Sequence, residues 1–153
     1  MITENATLLF SVNGQFASKN LTSAEKFSLG GPSGVRAYPT GEALGDYGYV
    51  IQAEARYLVP GLKLGPGDVT VSGFWDQGFV TICKNYVQVL CSVPVAQNVN
   101  KRGLSGYGVG ASVGKDGNFV VRASAAWRNE ENSPQADTSS RIPRVWVQAI
   151  KWF

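Results

Sequence analysis

The sequence predicts an all-β fold, in which antiparallel strands form part of a transmembrane β-barrel. Apolar and polar residues alternate with a period of two over segments of about ten residues, which is typical of strands and not of helices. Short turns and long loops alternate between these segments, as they do in outer-membrane barrels. Aromatic residues lie near both ends of the apolar faces, where the two interfaces of a membrane would be.

The composition excludes several classes of protein. The chain has 153 residues, enough for one domain with a sizeable core. It has no histidine, so Ser-His-Asp catalysis and His-ligated metals are ruled out. The net charge of +3 comes from scattered lysines and arginines, and we therefore expect no nucleic-acid partner. No apolar run approaches the ~18 residues of a transmembrane helix.

The first strands are assigned from alternation within each segment. From Ala6 to Phe16, one face is mostly apolar and the other mostly polar. A short run from Glu25 to Leu29 is a further strand candidate. From Tyr49 to Leu58 the pattern is sharper, because the apolar face holds two tyrosines and the opposite face holds Gln52, Glu54 and Arg56.

The later segments continue the pattern. From Val69 to Asp76, apolar residues alternate with a face that ends in Phe74 and Asp76. From Gly106 to Gly114, one face is apolar and the other is mostly glycine. From Phe119 to Arg128, the polar face carries two arginines, Arg122 and Arg128. The last segment, from Arg144 to Phe153, is strand-like with a less clear phase, which makes about seven strands in all.

The connections fall into two length classes. Lys115 to Asn118 is a tight turn of the kind that hairpins use, and the connections 17–24 and 60–68 are fairly short. The long loops are 30–48, 81–105 and 129–143. We expect the basic pair Lys101-Arg102, in the second of these loops, to be solvated.

Alternation alone does not distinguish a membrane barrel from a soluble β-sandwich, so the aromatic positions are needed. Tyr49 and Tyr57 are eight residues apart, as are Phe119 and Trp127, which corresponds to roughly 20 Å along a tilted strand. That distance is close to the height of the apolar band of a barrel, and it favours the membrane interpretation. The polar faces would then line a lumen, with Gln52, Glu54, Arg56, Asp76, Arg122 and Arg128.

The glycine face has two interpretations. Gly106, Gly108, Gly110 and Gly114 leave one side of a strand bare, and glycine weakens a strand unless something approaches closely or the sheet bends. Either an inserted loop packs against this bare wall or the glycines allow the sheet to curve. The sequence leaves both possibilities open.

Two motifs indicate a known family. Residues 26–38 read KFSLGGPSGVRAY, with the tetrad Val35, Arg36, Ala37 and Tyr38, and residues 74–78 read FWDQG. This pair resembles the motifs of TpsB transporters, the hemolysin secretion/activation family of two-partner secretion, which belongs to the superfamily of BamA-like barrels. The family has FSLGG followed by Val-Arg-Gly-Tyr or Val-Arg-Gly-Phe, so alanine stands here at the glycine position. Its strand motif, Phe-x-Asp-x-Gly, is matched by Phe74, Asp76 and Gly78.

The resemblance implies a particular part of a larger fold. The family has a 16-stranded barrel with POTRA modules and a plug helix, and residues 1–153 resemble the C-terminal part of that barrel. POTRA modules, plug helix and signal peptide are absent from the sequence, so we expect a portion of a longer protein. The resemblance also implies that loop 30–48 folds into the barrel and that Arg36 pairs with Asp76.

The implied function is secretion, and activation, of a large exoprotein through a pore in a Gram-negative outer membrane. The exoprotein would be a TpsA-type hemolysin or filamentous adhesin, and the other partners would be outer-membrane lipid and the barrel-assembly machinery. The resemblance implies no bond chemistry and no nucleotide, and we expect no cofactor or metal. The alternatives are a BamA-like assembly or surface-antigen protein and a passive porin. An enzyme with Glu54 and Asp76 as paired carboxylates is disfavoured, because buried carboxylates facing arginines are usually structural.

Two further expectations depend on this topology. Cys83 and Cys91 would lie in an external loop within an oxidising envelope, where a disulfide is favoured over two free thiols. Phe153 would end the last strand, and outer-membrane barrels commonly end on an aromatic residue. We therefore expect Phe153 to act as an insertion signal for the assembly machinery.

Overall fold

The computed structural model describes residues 4–85, 100–129 and 142–153. Within these ranges it contains eight strands and no helix, and the paired strands are antiparallel, which confirms the predicted all-β antiparallel fold. There is accordingly no helix in these ranges with the length and apolarity needed to cross a membrane. The strands are β1 Ala6–Gln15, β2 Phe27–Ser28, β3 Leu44–Gly45, β4 Tyr47–Leu64, β5 Gly67–Thr81, β6 Lys101–Lys115, β7 Phe119–Arg128 and β8 Arg144–Lys151.

Six of the strands form one sheet, the main sheet, in the order β1-β4-β5-β6-β7-β8. The short candidate from Glu25 to Leu29 does not join it. Only Phe27–Ser28 is extended, and it pairs with Leu44–Gly45 in a separate two-stranded sheet. The main sheet therefore has six described strands where about seven were expected. The run from Glu25 to Leu29 pairs with a later part of its own loop and not with β1.

The hairpin between β4 and β5 is tighter than the sequence suggested. β4 continues to Leu64 and β5 begins at Gly67, so most of the expected connection 60–68 is strand. Pro60 and Gly61 suggest a loop, but the pairing register shifts between Leu58 and Lys63, and such a bulge accommodates both residues. The turn from Lys115 to Asn118 connects β6 and β7 as predicted.

The two faces of the main sheet differ in character. On one side, here called the outer face, aromatic and aliphatic side chains from neighbouring strands lie in rows, such as Ala53, Trp75, Tyr107 and Trp127. These apolar side chains are largely exposed; they include Leu8, Phe10, Val12, Tyr49, Tyr57, Val71, Trp75, Tyr107, Val109, Val145 and Val147. An apolar face of this size without cover among the described residues is atypical of a soluble sheet protein.

The buried core lies on the opposite side, here called the inner face. Residues 29–46, here called the inserted loop, cross this face and contribute Leu29, Val35, Ala37, Tyr38 and Ala43 to the core. The main sheet contributes Val50, Phe74, Val80, Leu104 and Ala126. The core therefore forms between a loop and a sheet, and this packing positions the site described next.

Candidate functional site

The inserted loop has a defined backbone path. The Val35 amide donates to the Leu29 carbonyl at 2.8 Å, and Gly30 and Val35 form an isolated bridge. At the base of the loop, the amide of Leu29 donates to the carbonyl of Ala43 at 3.3 Å. These contacts fold residues 29–43 back on themselves, so that the tip of the loop presents Arg36 to the inner face.

Arg36 makes several short polar contacts with the main sheet. Its Nε and Nη2 donate to the two carboxylate oxygens of Asp76 at 2.9 and 2.7 Å, a bidentate arrangement. Its Nη1 donates to Glu54 at 2.7 Å, and its backbone amide also donates to Asp76. The Asp76 side chain has 0% exposure. Burial lowers the pKa of the Arg36 guanidinium, but hydrogen bonding and attraction to Asp76 and Glu54 outweigh burial, so the pKa is raised overall.

The aromatic ring of Phe74 stacks against the Arg36 guanidinium. The guanidinium carbon lies 3.4 Å from the centre of the Phe74 ring, within the range of cation–π contact. Phe74 in turn lies over Gly108, where an added Cβ would come within 2.4 Å of the ring. Gly106 faces the loop directly, because its added Cβ would lie 2.5 Å from the Cβ of Ala37. Two of the four glycines of the glycine face thus provide room: Gly106 for the loop, and Gly108 for the Phe74 ring on which Arg36 stacks.

Strands on both sides of β5 also bind the loop tip. The Gln52 side chain on β4 donates to the Gly34 carbonyl at 2.9 Å. The Trp146 indole on β8 donates to the Arg36 carbonyl at 2.8 Å. The tip therefore contacts both β4, the second strand in the order of the main sheet, and β8, the strand at the opposite edge.

The remaining predicted residues lie around this contact. Val35, Ala37 and Tyr38 are buried in the core, and Gly78 faces Leu29. The polar residues Gln52, Glu54, Arg56, Arg122 and Arg128 belong to the inner face, as their register shows. Arg56 donates to Glu54 at 2.6 Å, the Arg128 guanidinium lies 6.0 Å from the Tyr38 ring centre, and Arg122 is exposed.

Several charged residues at the other end of the loop were missed by the sequence interpretation. Glu42 and Asp46 have side chains with 0% exposure. Asp46 pairs with Lys26 at 3.2 Å and accepts from the backbone amides of Leu21 and Lys84. Glu42 pairs with Arg102 on β6.

The expectation that Lys101-Arg102 is a solvated loop pair is wrong for Arg102, which is half-buried in a strand that begins at Lys101. The alternation of β6 puts Arg102 in phase with Gly106, and that phase is the signal that could have identified it.

The cysteine and C-terminal predictions are only partly within the described residues. Cys83 is disulfide-bonded and 1% exposed, whereas Cys91, its expected partner, lies outside the described residues. Phe153 follows the end of β8 and is fully exposed.

A cavity of about 300 Å³ lies beside the loop tip, and most of the residues that line it have polar side chains. Arg36, Glu54, Arg56 and Arg122 contribute charged groups, and the hydroxyls come from Ser33, Thr70, Ser72, Ser112 and Ser124. Glu54 and Asp76, the candidates for an enzyme with paired carboxylates, both accept hydrogen bonds from Arg36 and so form part of one ion-pair network. The described residues contain no group of three or more side chains that could hold a metal ion.

Comparisons with known proteins agree with the motifs. Residues 2–113 match the family model described as haemolysin secretion/activation protein ShlB/FhaC/HecB. The heme/hemopexin transporter protein HuxB of Haemophilus influenzae strain 86-028NP is 36% identical over 143 residues, which are 93% of this chain and 23% of that protein. HuxB of Haemophilus influenzae strain ATCC 51907 / DSM 11121 / KW20 / Rd is 34% identical over 142 residues, again 93% of this chain and 23% of the relative.

The chain thus spans about a quarter of the length of these relatives. No solved structure gives a significant match. With the family model covering most of the chain and both family motifs joined through Arg36 and Asp76, this chain belongs to the haemolysin secretion/activation (ShlB/FhaC/HecB) family.

Proposed function

We propose that the chain is the C-terminal part of the barrel of a two-partner secretion transporter, and that this transporter secretes a TpsA-type exoprotein across a bacterial outer membrane. In this arrangement the outer face meets lipid and the inner face lines the pore. Residues 1–153 form one portion of the barrel, and the rest of the transporter supplies the other strands and the modules that recognise the exoprotein.

The observation that carries the proposal is the opposite use of the two faces. A soluble β-sheet protein buries its apolar face and hydrates its polar face. Here the apolar side chains of the outer face are exposed, while the inner face holds the small buried core and binds a loop through Arg36, Asp76 and Glu54. That inversion suits a sheet with lipid on one side and a water-filled pore on the other.

The inserted loop favours a transporter in which this loop changes position over a passive porin. A passive porin needs charged rings along its lumen but no loop bound by a bidentate buried ion pair. A loop held by Arg36 and Asp76 obstructs part of the inner face, so the passage of a polypeptide requires it to move. The loop therefore acts as a conformational element of the transport cycle.

The relatives bear on the identity of the exoprotein. The two HuxB proteins are named heme/hemopexin transporter proteins. We therefore favour, for this chain, an exoprotein concerned with heme or hemopexin over a hemolysin or an adhesin. The barrel-assembly machinery and outer-membrane lipid complete the set of partners.

Secretion by the complete transporter that contains this segment tests the function. Deleting its gene should leave the exoprotein in the periplasm, and restoring the gene should return it to the medium. Mass spectrometry of the medium from both strains identifies the exoprotein. A medium whose proteins are unchanged by the deletion would contradict the proposal.

The membrane assignment can be tested separately through Val109, which is 56% exposed near the middle of β6 on the outer face. We expect Val109→Arg to reduce the amount of barrel in the outer membrane, since an arginine facing lipid near the midplane costs about 2–4 kcal/mol. Ser112→Arg is the matched control, because it places the same charge on the inner face of the same strand. Heat-modifiability on gels measures the inserted fraction, and equal insertion of the two variants would argue against lipid on the outer face.

A further inference from the structure

Glu42 forms a second buried ion pair between the inserted loop and the main sheet. Its carboxylate has 0% exposure and contacts the guanidinium of Arg102 on β6, which is 18% exposed. The backbone holds Glu42 in place, because its amide donates to Pro39 at 3.3 Å and its carbonyl accepts from Gly30 at 3.1 Å. This pair involves neither of the family motifs.

The two ion pairs lie at different depths along the inner face. Asp76 is opposite Gly106 in the sheet register, whereas Arg102 is opposite Val80. Arg102 therefore lies four residues from Gly106 along β6, which corresponds to roughly 13 Å at the rise of an extended strand. A loop bound at two points this far apart has a defined depth as well as a defined tip position.

The two ion pairs favour one depth of the loop, because the loop and the sheet exchange the signs of their charges between the tip and the base. At the tip, the loop supplies the cation, Arg36, and the sheet supplies Asp76 and Glu54. Near the base, the loop supplies the anion, Glu42, and the sheet supplies the cation, Arg102. Sliding the loop towards Asp76 would bring Glu42 towards two carboxylates, and like charges at short range repel.

We propose that Arg102 is a positioning residue that sets, through Glu42, the depth at which the loop enters the pore and so aligns Arg36 with Asp76. This inference rests on the proposed transport function in one respect, namely that the inserted loop lies within a pore. Loss of Arg102 leaves Arg36 and Asp76 able to pair but removes the constraint on depth, so the loop also samples shifted positions in which Arg36 is away from Asp76.

Accessibility of a thiol at Val35 measures loop position in the complete transporter. Val35 has 0% exposure and a side chain close in size to cysteine, and Cys83 is already disulfide-bonded. In outer-membrane vesicles, Val35→Cys should react slowly with a charged maleimide. We expect Arg102→Gln to raise the labelling rate by about tenfold or more, because removing one partner strands a buried charge. Lys101→Gln is the matched control: it removes the adjacent positive charge, but from an exposed side chain, and should not change the rate.

Rescue distinguishes positioning by charge from a general packing role. Arg102→Lys keeps the cation and should keep labelling slow, and the exchange Glu42→Arg with Arg102→Glu should return the rate to within about threefold of the parent. If Arg102→Gln labels as slowly as the parent, or if Arg102→Lys labels as fast as Arg102→Gln, the positioning role is wrong.

Secretion is assayed in the same strains, so the two proposals can fail separately. A parent transporter that secretes nothing overturns the transport function, while a labelling response to Arg102→Gln in that transporter still supports the positioning role. Secretion by the parent with no labelling response overturns the positioning role alone.

Discussion

Replacing Arg36 with alanine should free the tip of the inserted loop and abolish secretion, while the sheet stays in the membrane. The substitution removes three side-chain hydrogen bonds and the stacking on Phe74. It also leaves the Asp76 carboxylate, with 0% exposure, without its cation. Breaking a buried pair in this way costs about 3–5 kcal/mol, which corresponds to a shift of roughly two to four orders of magnitude between the bound and free loop.

The strand ladder does not depend on this contact. β4 and β5 pair over most of their lengths, and β5 and β6 pair without a break from Asp68 to Thr81. We therefore expect the amount of Arg36→Ala transporter in the outer membrane to stay near that of the parent. Labelling of a cysteine at Val35 should become about a hundredfold faster, in line with the lower end of that cost.

Two substitutions separate the effect of the ion pair from that of losing any arginine. Arg122→Ala removes an exposed arginine from the same face and should leave the loop protected. Arg36→Lys keeps the charge but cannot bind a carboxylate with two parallel donors, so its labelling rate should lie between those of the parent and the alanine variant. A protected loop in Arg36→Ala would show that this ion pair does not hold the tip.

The sequence predicts the main sheet and the tip contact for different physical reasons. Strand alternation is a local property, so the outer and inner faces follow from a period of two and need no knowledge of neighbouring elements. The contact between Arg36 and Asp76 joins residues forty positions apart, and only the resemblance of their two motifs to a family connects them before the structure is known.

The buried charges near the base of the loop could not be predicted in this way. Glu42 and Asp46 lie among glycines and small residues that suggest a solvated loop, and nothing local indicates that they have 0% exposure. Their burial depends on partners far along the chain, namely Arg102 and the backbone of Lys84. Tertiary contact likewise decides the run from Glu25 to Leu29, which pairs with the returning end of the loop and not with the main sheet.

Gly34 should be as intolerant of substitution as Arg36, although it has no side chain that binds the sheet. A Cβ at position 34 would lie 2.1 Å from the carbonyl oxygen of Leu29, and that oxygen accepts the Val35 amide within the loop. The obstacle is backbone, so no side-chain rotation relieves it. Gly34→Ala must open the turn between Leu29 and Val35, and a clash with fixed backbone should cost at least about 3 kcal/mol, the upper end of the usual range for overpacking.

The consequence of Gly34→Ala should be a misplaced Arg36. The Gly34 carbonyl accepts from Gln52, and Arg36 follows only two residues later, so an opened turn moves the guanidinium away from Asp76. We expect normal membrane abundance, fast labelling of a cysteine at Val35 and loss of secretion. Gly73→Ala is the matched control, because its added methyl has no neighbour within 4 Å on the outer face.

A double variant shows whether the two residues act through one contact. If Gly34 matters only because it lets Arg36 reach Asp76, then adding Arg36→Ala to Gly34→Ala should increase the labelling rate by less than about twofold, as expected for residues that share one interaction. Independent roles would instead give rates that multiply. A Gly34→Ala transporter that secretes normally and keeps its loop protected would mean that the turn opens without displacing Arg36, and the close approach at Leu29 would then have no part in holding the loop.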